Sequence, residues 1–265
     1  MGRSNPNQGR NVIEVALILS TARTGTKFFE GYLNRTCPGV VCRHEPRPSR
    51  RFKFLSNMYL QGTIGGSIIR RLFLRSRRRL LEGEFRLYVE SNNFLFGCVP
   101  PLLESLPALR VVHIVRHPVD YVVSHMRHGF WRGLKGFTAR HVPFWLEELP
   151  LEGGEASDPV LILAARWVYV NSILLGHGGG GNYLRLRFED VFCSPPDVRA
   201  ESLDALRAFL GCAPLERQTQ LRLLRRKVNA SPAGDAEFSL DQREKARVIE
   251  LCRAPMRQFG YDAEA

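Results

Sequence analysis

The chain has 265 residues, 44% of them hydrophobic, and a formal net charge of +12. That length and composition suit one folded α/β domain and exclude an unstructured chain, and with no apolar run near 18 residues no membrane-spanning helix is expected. The positive balance implies an acidic partner: nucleic acid, a membrane surface, or an anionic cofactor or substrate.

Residues 1–11 are polar, lack the apolar core of a secretory signal, and are expected to be flexible. Cys37, Cys42, Cys98, Cys193, Cys212 and Cys252 form no C-x-x-C pair and have no histidine at zinc-site spacing. They read as reduced, mostly buried thiols in a cytoplasmic protein, with no metal site expected.

The apolar run Val15–Leu19 predicts a buried parallel strand. A polar turn, Ser20–Thr26, leads directly into a helical pattern carrying Phe28, Phe29, Tyr32 and Leu33. Strand, short turn and helix form a natural anion cradle, because the first N–H groups of a helix lack internal partners and the dipole favours negative charge there. Gly25 lets the main chain approach a ligand closely, and Arg23, Thr24, Thr26 and Lys27 add donors around it. The same pattern also suits an ordinary βα turn.

Val40–Cys42 reads as a short second strand that runs out at Arg43-His44-Glu45-Pro46, where Pro46 and Pro48 hold the chain extended. Residues 52–81 read as helical, and the six arginines of Arg70–Arg79 as a solvated face. Arg217, Arg222, Arg225, Arg226 and Lys227 form a second basic cluster. Phe85–Val89 predicts a third strand ending in Glu90-Ser91-Asn92-Asn93, and Val99–Leu106 a helix that tolerates prolines at its start. Val111–Val115 predicts another buried strand, ending in Arg116-His117-Pro118 before a helix over Val119–Met126.

Residues 129–159 read as a long excursion, and Val160–Leu175 as a helix apolar nearly all round. Trp167 and Asn171 on that helix read as core, with Asn171 a lesser candidate to reach a cofactor, while His117 and His125 read as structural. Gly176–Gly181 reads as a connector, Tyr183–Phe188 as an edge strand, and residues 200–210, 214–227 and 240–258 as closing helices. Alternating strands and helices predict an α/β fold whose central parallel sheet is flanked by helices. Ligands of such sheets sit beyond the carboxyl ends of the strands, where Arg23–Thr26, His44-Glu45, Glu90 and Arg116 all fall.

A Walker A loop requires G-x-x-x-x-G-K-[ST], and this chain lacks its first glycine. No strand ends in an aspartate suited to magnesium, which counts against a kinase.

The turn STARTGTK resembles the 5′-phosphosulfate loop of the P-loop sulfotransferases, which use 3′-phosphoadenosine 5′-phosphosulfate (PAPS). The segment VVHIVRHPVDYVVSHM is similar to that family's 3′-phosphate element, and AARWVYVNSIL, YLRLRFEDV and LDALRAFLGC resemble later blocks in the same order. The resemblance runs from about residue 14 to the C-terminal GYD and implies one sulfotransferase-like domain over 1–265, of the bacterial type. It implies a 5′-phosphate site at Thr24, Gly25 and Thr26, a 3′-phosphate site at Arg116 and Ser124, and an electrostatic role for Arg23. Lys27 would add a contact or point along the helix, and Lys227 would close over the nucleotide.

Glu45 resembles the general base of bacterial and tyrosyl-protein members, with His44 and Glu90 as alternatives. The implied reaction is in-line transfer of a sulfonate from PAPS to a hydroxyl or amine of a small molecule, glycan or peptide, with segments 46–80 and 128–158 on the acceptor side. No nucleic-acid partner is then expected. A Mg²⁺-dependent small-molecule kinase and a non-enzymatic polyanion binder remain the alternative readings.

Overall fold

Strand β1 (Glu14–Ser20) is the middle of a five-stranded sheet and is covered on both faces. Ala16 and Ile18 point into one apolar layer, while Val15, Leu17 and Leu19 point into the other. That alternation explains why the run is continuously apolar, as a strand buried between two helical layers must be. The remaining strands are β2 (Val40–His44), β3 (Leu87–Ser91), β4 (Arg110–Val115) and β5 (Tyr183–Arg187), in the order β2-β3-β1-β4-β5 with every pairing parallel. The computed structural model describes residues 13–127, 149, 151, 155, 157–224 and 238–261.

Among these residues the helices are α1 (Thr26–Thr36), α2 (Ser49–Leu60), α3 (Gly66–Leu81), α4 (Val99–Leu103), α5 (Pro118–Arg127) and α6 (Pro159–Leu175). They are followed by α7 (Phe188–Phe192), α8 (Pro196–Phe209), α9 (Arg217–Leu224) and α10 (Gln242–Gln258). Side chains from α1 and α8 fill the layer on the Ala16 side, and those from α2, α3, α4 and α6 fill the opposite one. A third cluster joins α5, α6 and α10. The excursion expected over 129–159, residues 1–11 and Lys227 lie wholly or mostly outside the described residues.

The expected α/β class, parallel sheet and edge position of the YLRLR strand agree with the structure. The stretch expected to be helical over 52–81 is a hairpin of two helices, broken at 61–65 where Gly62 takes φ 71°. Strand β3 starts two residues later than expected and includes Glu90 and Ser91, which are fully buried. An unpaired charge does not belong in a core.

This charge is paired. Glu90 accepts two hydrogen bonds from Arg77, from Nε at 2.6 Å and Nη2 at 2.7 Å, one from Tyr88 at 3.0 Å and one from Asn92 at 2.7 Å. Arg77 is itself buried, lies over Phe52 and Phe73, and donates to the carbonyl of Arg47. The reading of Arg70–Arg79 as purely solvated is therefore corrected at Arg77. Glu90, with its oxygens occupied inside the core, is corrected as an alternative base.

Candidate active site

The sheet order places β1 between β3 and β4, so the chain passes from one side of β1 to the other between β3 and β4. That reversal opens a crevice at the carboxyl end of β1. The turn after β1 lines it with unusual backbone: Ala22, Arg23 and Gly25 have φ of 77°, 57° and 69°. Gly25 caps α1, and the Phe28 N–H bonds its carbonyl at 2.8 Å. A Cβ on Gly25 would stand 2.7 Å from the Phe192 ring of α7, so both backbone and packing demand glycine here.

Arg23 is drawn across the crevice. Its Nε donates to Ser124 Oγ on α5 at 3.2 Å, and Arg116, just past β4, donates from Nη1 to the Arg23 carbonyl at 2.8 Å. The Arg116 guanidinium lies 4.3 Å over the Phe188 ring, and its buried Nε has no hydrogen-bond partner among the described residues. Burial pushes its pKa down, yet an arginine stays charged. The candidate 5′ and 3′ elements thus form one continuous surface of positive charge and donors, and an unsatisfied buried N–H there suits an anionic oxygen.

Other donors of the loop face inward. The Thr24 hydroxyl is fully buried and donates to Ser20 Oγ at 2.7 Å. Thr26 is buried, and its carbonyl accepts from Ser91 Oγ at 2.9 Å. Lys27 is exposed and lines a cavity of about 240 Å³ on the outer side of α1 with Glu30, Arg35 and Leu223.

A chain of hydrogen bonds joins this loop to the end of β2. Ser20 Oγ donates to Asn93 Oδ1 at 2.6 Å, and Asn93 Nδ2 donates to Glu45 Oε1 at 3.1 Å. Glu45 sits at φ 43°, with its N–H on the Ser91 carbonyl at 3.0 Å. Neighbouring His44 donates instead from Nδ1 to that same carbonyl at 3.2 Å, tying its ring to β3. Ser20 lies in the STARTGTK turn but had no predicted role of its own, and nothing in the sequence marked Phe192 as a neighbour of the site. Asn93 was visible only as one of four polar residues ending a strand.

The bystanders are also clear. Trp167 donates to the Arg116 carbonyl at 2.8 Å and is buried. Asn171 accepts from His113 Nε2 at 2.8 Å inside the core, so it is a packing residue. The His117 N–H bonds Glu189 at 2.9 Å while its ring packs edge-on against Tyr261, and His125 packs against Tyr121.

With this geometry in view, the solved structures it matches are informative. A sulfotransferase from Alicyclobacillus acidocaldarius matches with a TM-score of 0.55 at 16% identity, over 93% of this chain and 96% of that one. The fold is the sulfotransferase fold. The sulfotransferase domain from the curacin biosynthetic pathway shares it, with a TM-score of 0.52 at 13% identity over 95% and 99% of the two chains. So does a sulfotransferase from Mycobacterium tuberculosis, at 0.50 and 13% over 91% and 76%. No protein-family model matches the chain, and no curated relative does. At these identities the sulfotransferase fold is shared, and any likeness of chemistry must be argued from the residues.

Proposed function

We propose that the protein is a sulfotransferase that moves a sulfonate from PAPS to a hydroxyl or amine acceptor. The observation carrying this reading is the pair of contacts from Arg23, to Ser124 and to Arg116, which joins two anion-binding elements about a hundred residues apart in sequence into one site. The donor set fits the nucleotide. The start of α1 and the Gly25 turn would hold the 5′-phosphate, and Arg116 with Ser124 the 3′-phosphate. PAPS, when bound, supplies a sulfonate activated by a phosphate leaving group.

The protein's own groups do the rest. Arg23 and the loop N–H groups stabilise charge that develops on the leaving side, which preorganised donors do without reorganising. Glu45 accepts the acceptor's proton, and Asn93 fixes the carboxylate toward the loop. His44, held to a backbone carbonyl, is the weaker candidate for that task.

The direct test is release of 3′-phosphoadenosine 5′-phosphate from PAPS with a panel of hydroxyl and amine acceptors, in wild-type protein and Glu45→Gln. Acceptor-dependent release lost in the variant supports the reading. No release with any acceptor, together with Mg²⁺-dependent consumption of ATP, overturns it in favour of a kinase.

A further inference from the structure

The hairpin of α2 and α3 concentrates the charge of the protein. Between residues 46 and 81 the sequence has ten Arg or Lys and no Asp or Glu, against a formal net charge of +12 for the whole chain. Two of these cations are internal, Arg77 on Glu90 and the buried Lys53, and Arg70 is paired with Glu104. Arg71, Arg75, Arg78 and Arg79 are exposed on α3, Arg78 in an i,i+4 ion pair with Glu82, and Arg50 and Arg51 are exposed on α2.

The same two helices carry the large hydrophobic side chains that stand out in solvent among the described residues. These are Phe54 at 42% exposure, Leu60 at 38%, Ile68 at 44%, Leu72 at 39% and Leu74 at 37%. Their exposure follows from how α3 is anchored. Ile69, Phe73 and Arg77 lie four residues apart and face the core, and the Arg77–Glu90 pair fixes the helix's rotation. Ile68 and Leu72 are therefore held outward, on a row that continues into Arg75 and Arg79.

Apolar side chains grouped within a cationic surface have a specific physical meaning. A nucleic acid or anionic glycan needs only the guanidinium groups, and the exposed leucines would gain nothing from it. A bilayer interface takes both: aliphatic side chains enter the boundary between headgroups and acyl chains, while arginines bond lipid phosphates. We propose that the α2–α3 hairpin docks the protein peripherally on an anionic lipid bilayer through Ile68 and Leu72 together with Arg71, Arg75, Arg78 and Arg79. Helix α2 begins four residues after Glu45. The proposal rests on the hairpin alone and does not require the transferase reading.

The test is cosedimentation of the full chain with vesicles of phosphatidylcholine, alone or mixed with phosphatidylglycerol. Wild-type protein is expected to bind the mixed vesicles, with binding that weakens as salt rises, and to bind neutral vesicles far less. Each arginine contributes roughly fivefold to partitioning, so Arg71→Gln/Arg75→Gln/Arg79→Gln should lower it on the order of a hundredfold. Ile68→Ser/Leu72→Ser should lower it about tenfold with an unchanged melting temperature, because both side chains already face solvent. A heparin column serves as the polyanion control, and there only the arginine variant should elute earlier. The proposal is overturned if mixed vesicles bind no better than neutral ones. It is also overturned if Ile68→Ser/Leu72→Ser binds mixed vesicles like wild type, which would leave a surface for soluble polyanions only.

Discussion

Arg23 and Ser124 are 101 residues apart in sequence and share a hydrogen bond of 3.2 Å, from guanidinium Nε to hydroxyl oxygen. One follows β1 and the other lies on α5 beyond β4, so the bond bridges the two strands that flank the crevice. Removing a preorganised donor from a site of developing charge typically costs a factor of about 10²–10³ in kcat. Arg23→Met is expected to fall in that range. Ser124→Ala should chiefly weaken nucleotide binding, and titration calorimetry alongside steady-state kinetics separates the two effects.

Asn93 offers a sharper test of the Glu45 assignment. Glu45→Gln should lower kcat by about 10²–10⁴ while leaving the affinity for 3′-phosphoadenosine 5′-phosphate intact. Asn93→Ala frees the carboxylate and should give a smaller loss in kcat, also without change in nucleotide affinity. A purely structural asparagine would lower the melting temperature and leave kcat where it was.

Gly25→Ala meets two obstacles, a left-handed backbone and the Phe192 ring. The backbone cost alone is about 1–2 kcal/mol, and overpacking adds to it. Pairing it with Phe192→Ala should remove only the steric part. Denaturant unfolding of the single and double variants would resolve the two contributions.

The buried pair Arg77–Glu90 should behave asymmetrically. Glu90→Ala strands a guanidinium in the core and is expected to cost about 3–5 kcal/mol, whereas Arg77→Met/Glu90→Met should be far milder. Chemical denaturation of each variant checks this, and it also reports whether the α2–α3 hairpin stays seated.

His113 sets an expectation for pH. Burial pushes its pKa down from 6.5 to about 4, and its ring bonds Asn171 and Tyr183 at 2.8 and 2.7 Å. Above pH 6.5 both folded and unfolded states are neutral at this position, and it gives no pH dependence. As pH falls from 6.5 toward 4 the unfolded chain gains a proton that the folded one refuses, so stability drops, by about 3 kcal/mol at the lower end. His113→Gln should be less stable at neutral pH and show a flatter decline, readable from melting temperatures across that window.

Much of this was legible in the sequence because the relevant signals are local. Two short, largely apolar runs, VALIL and VVHIV, each followed by a polar turn with Arg, marked β1 and β4, and Arg23, Glu45 and Arg116 follow strand ends. What failed to show was nonlocal. Glu90 looked like a residue past a strand end until Arg77, thirteen residues earlier, turned out to neutralise it within the sheet. The break at Gly62 was masked by the apolar periodicity on either side of it. The inward turn of Thr24 depends on Ser20 and Asn93, and no spacing rule encodes a hydroxyl choosing one partner over solvent.

The central claim is that one adenine nucleotide is held at both of its phosphate ends, and the 3′-phosphate is the feature that distinguishes this from ordinary nucleotide binding. Titration calorimetry with 3′-phosphoadenosine 5′-phosphate and with AMP, both without Mg²⁺, isolates it. The expected result is much tighter binding of the 3′-phosphorylated nucleotide, with the difference collapsing in Arg116→Ala. Equal affinity for the two nucleotides, or a preference untouched by Arg116→Ala, would contradict the account.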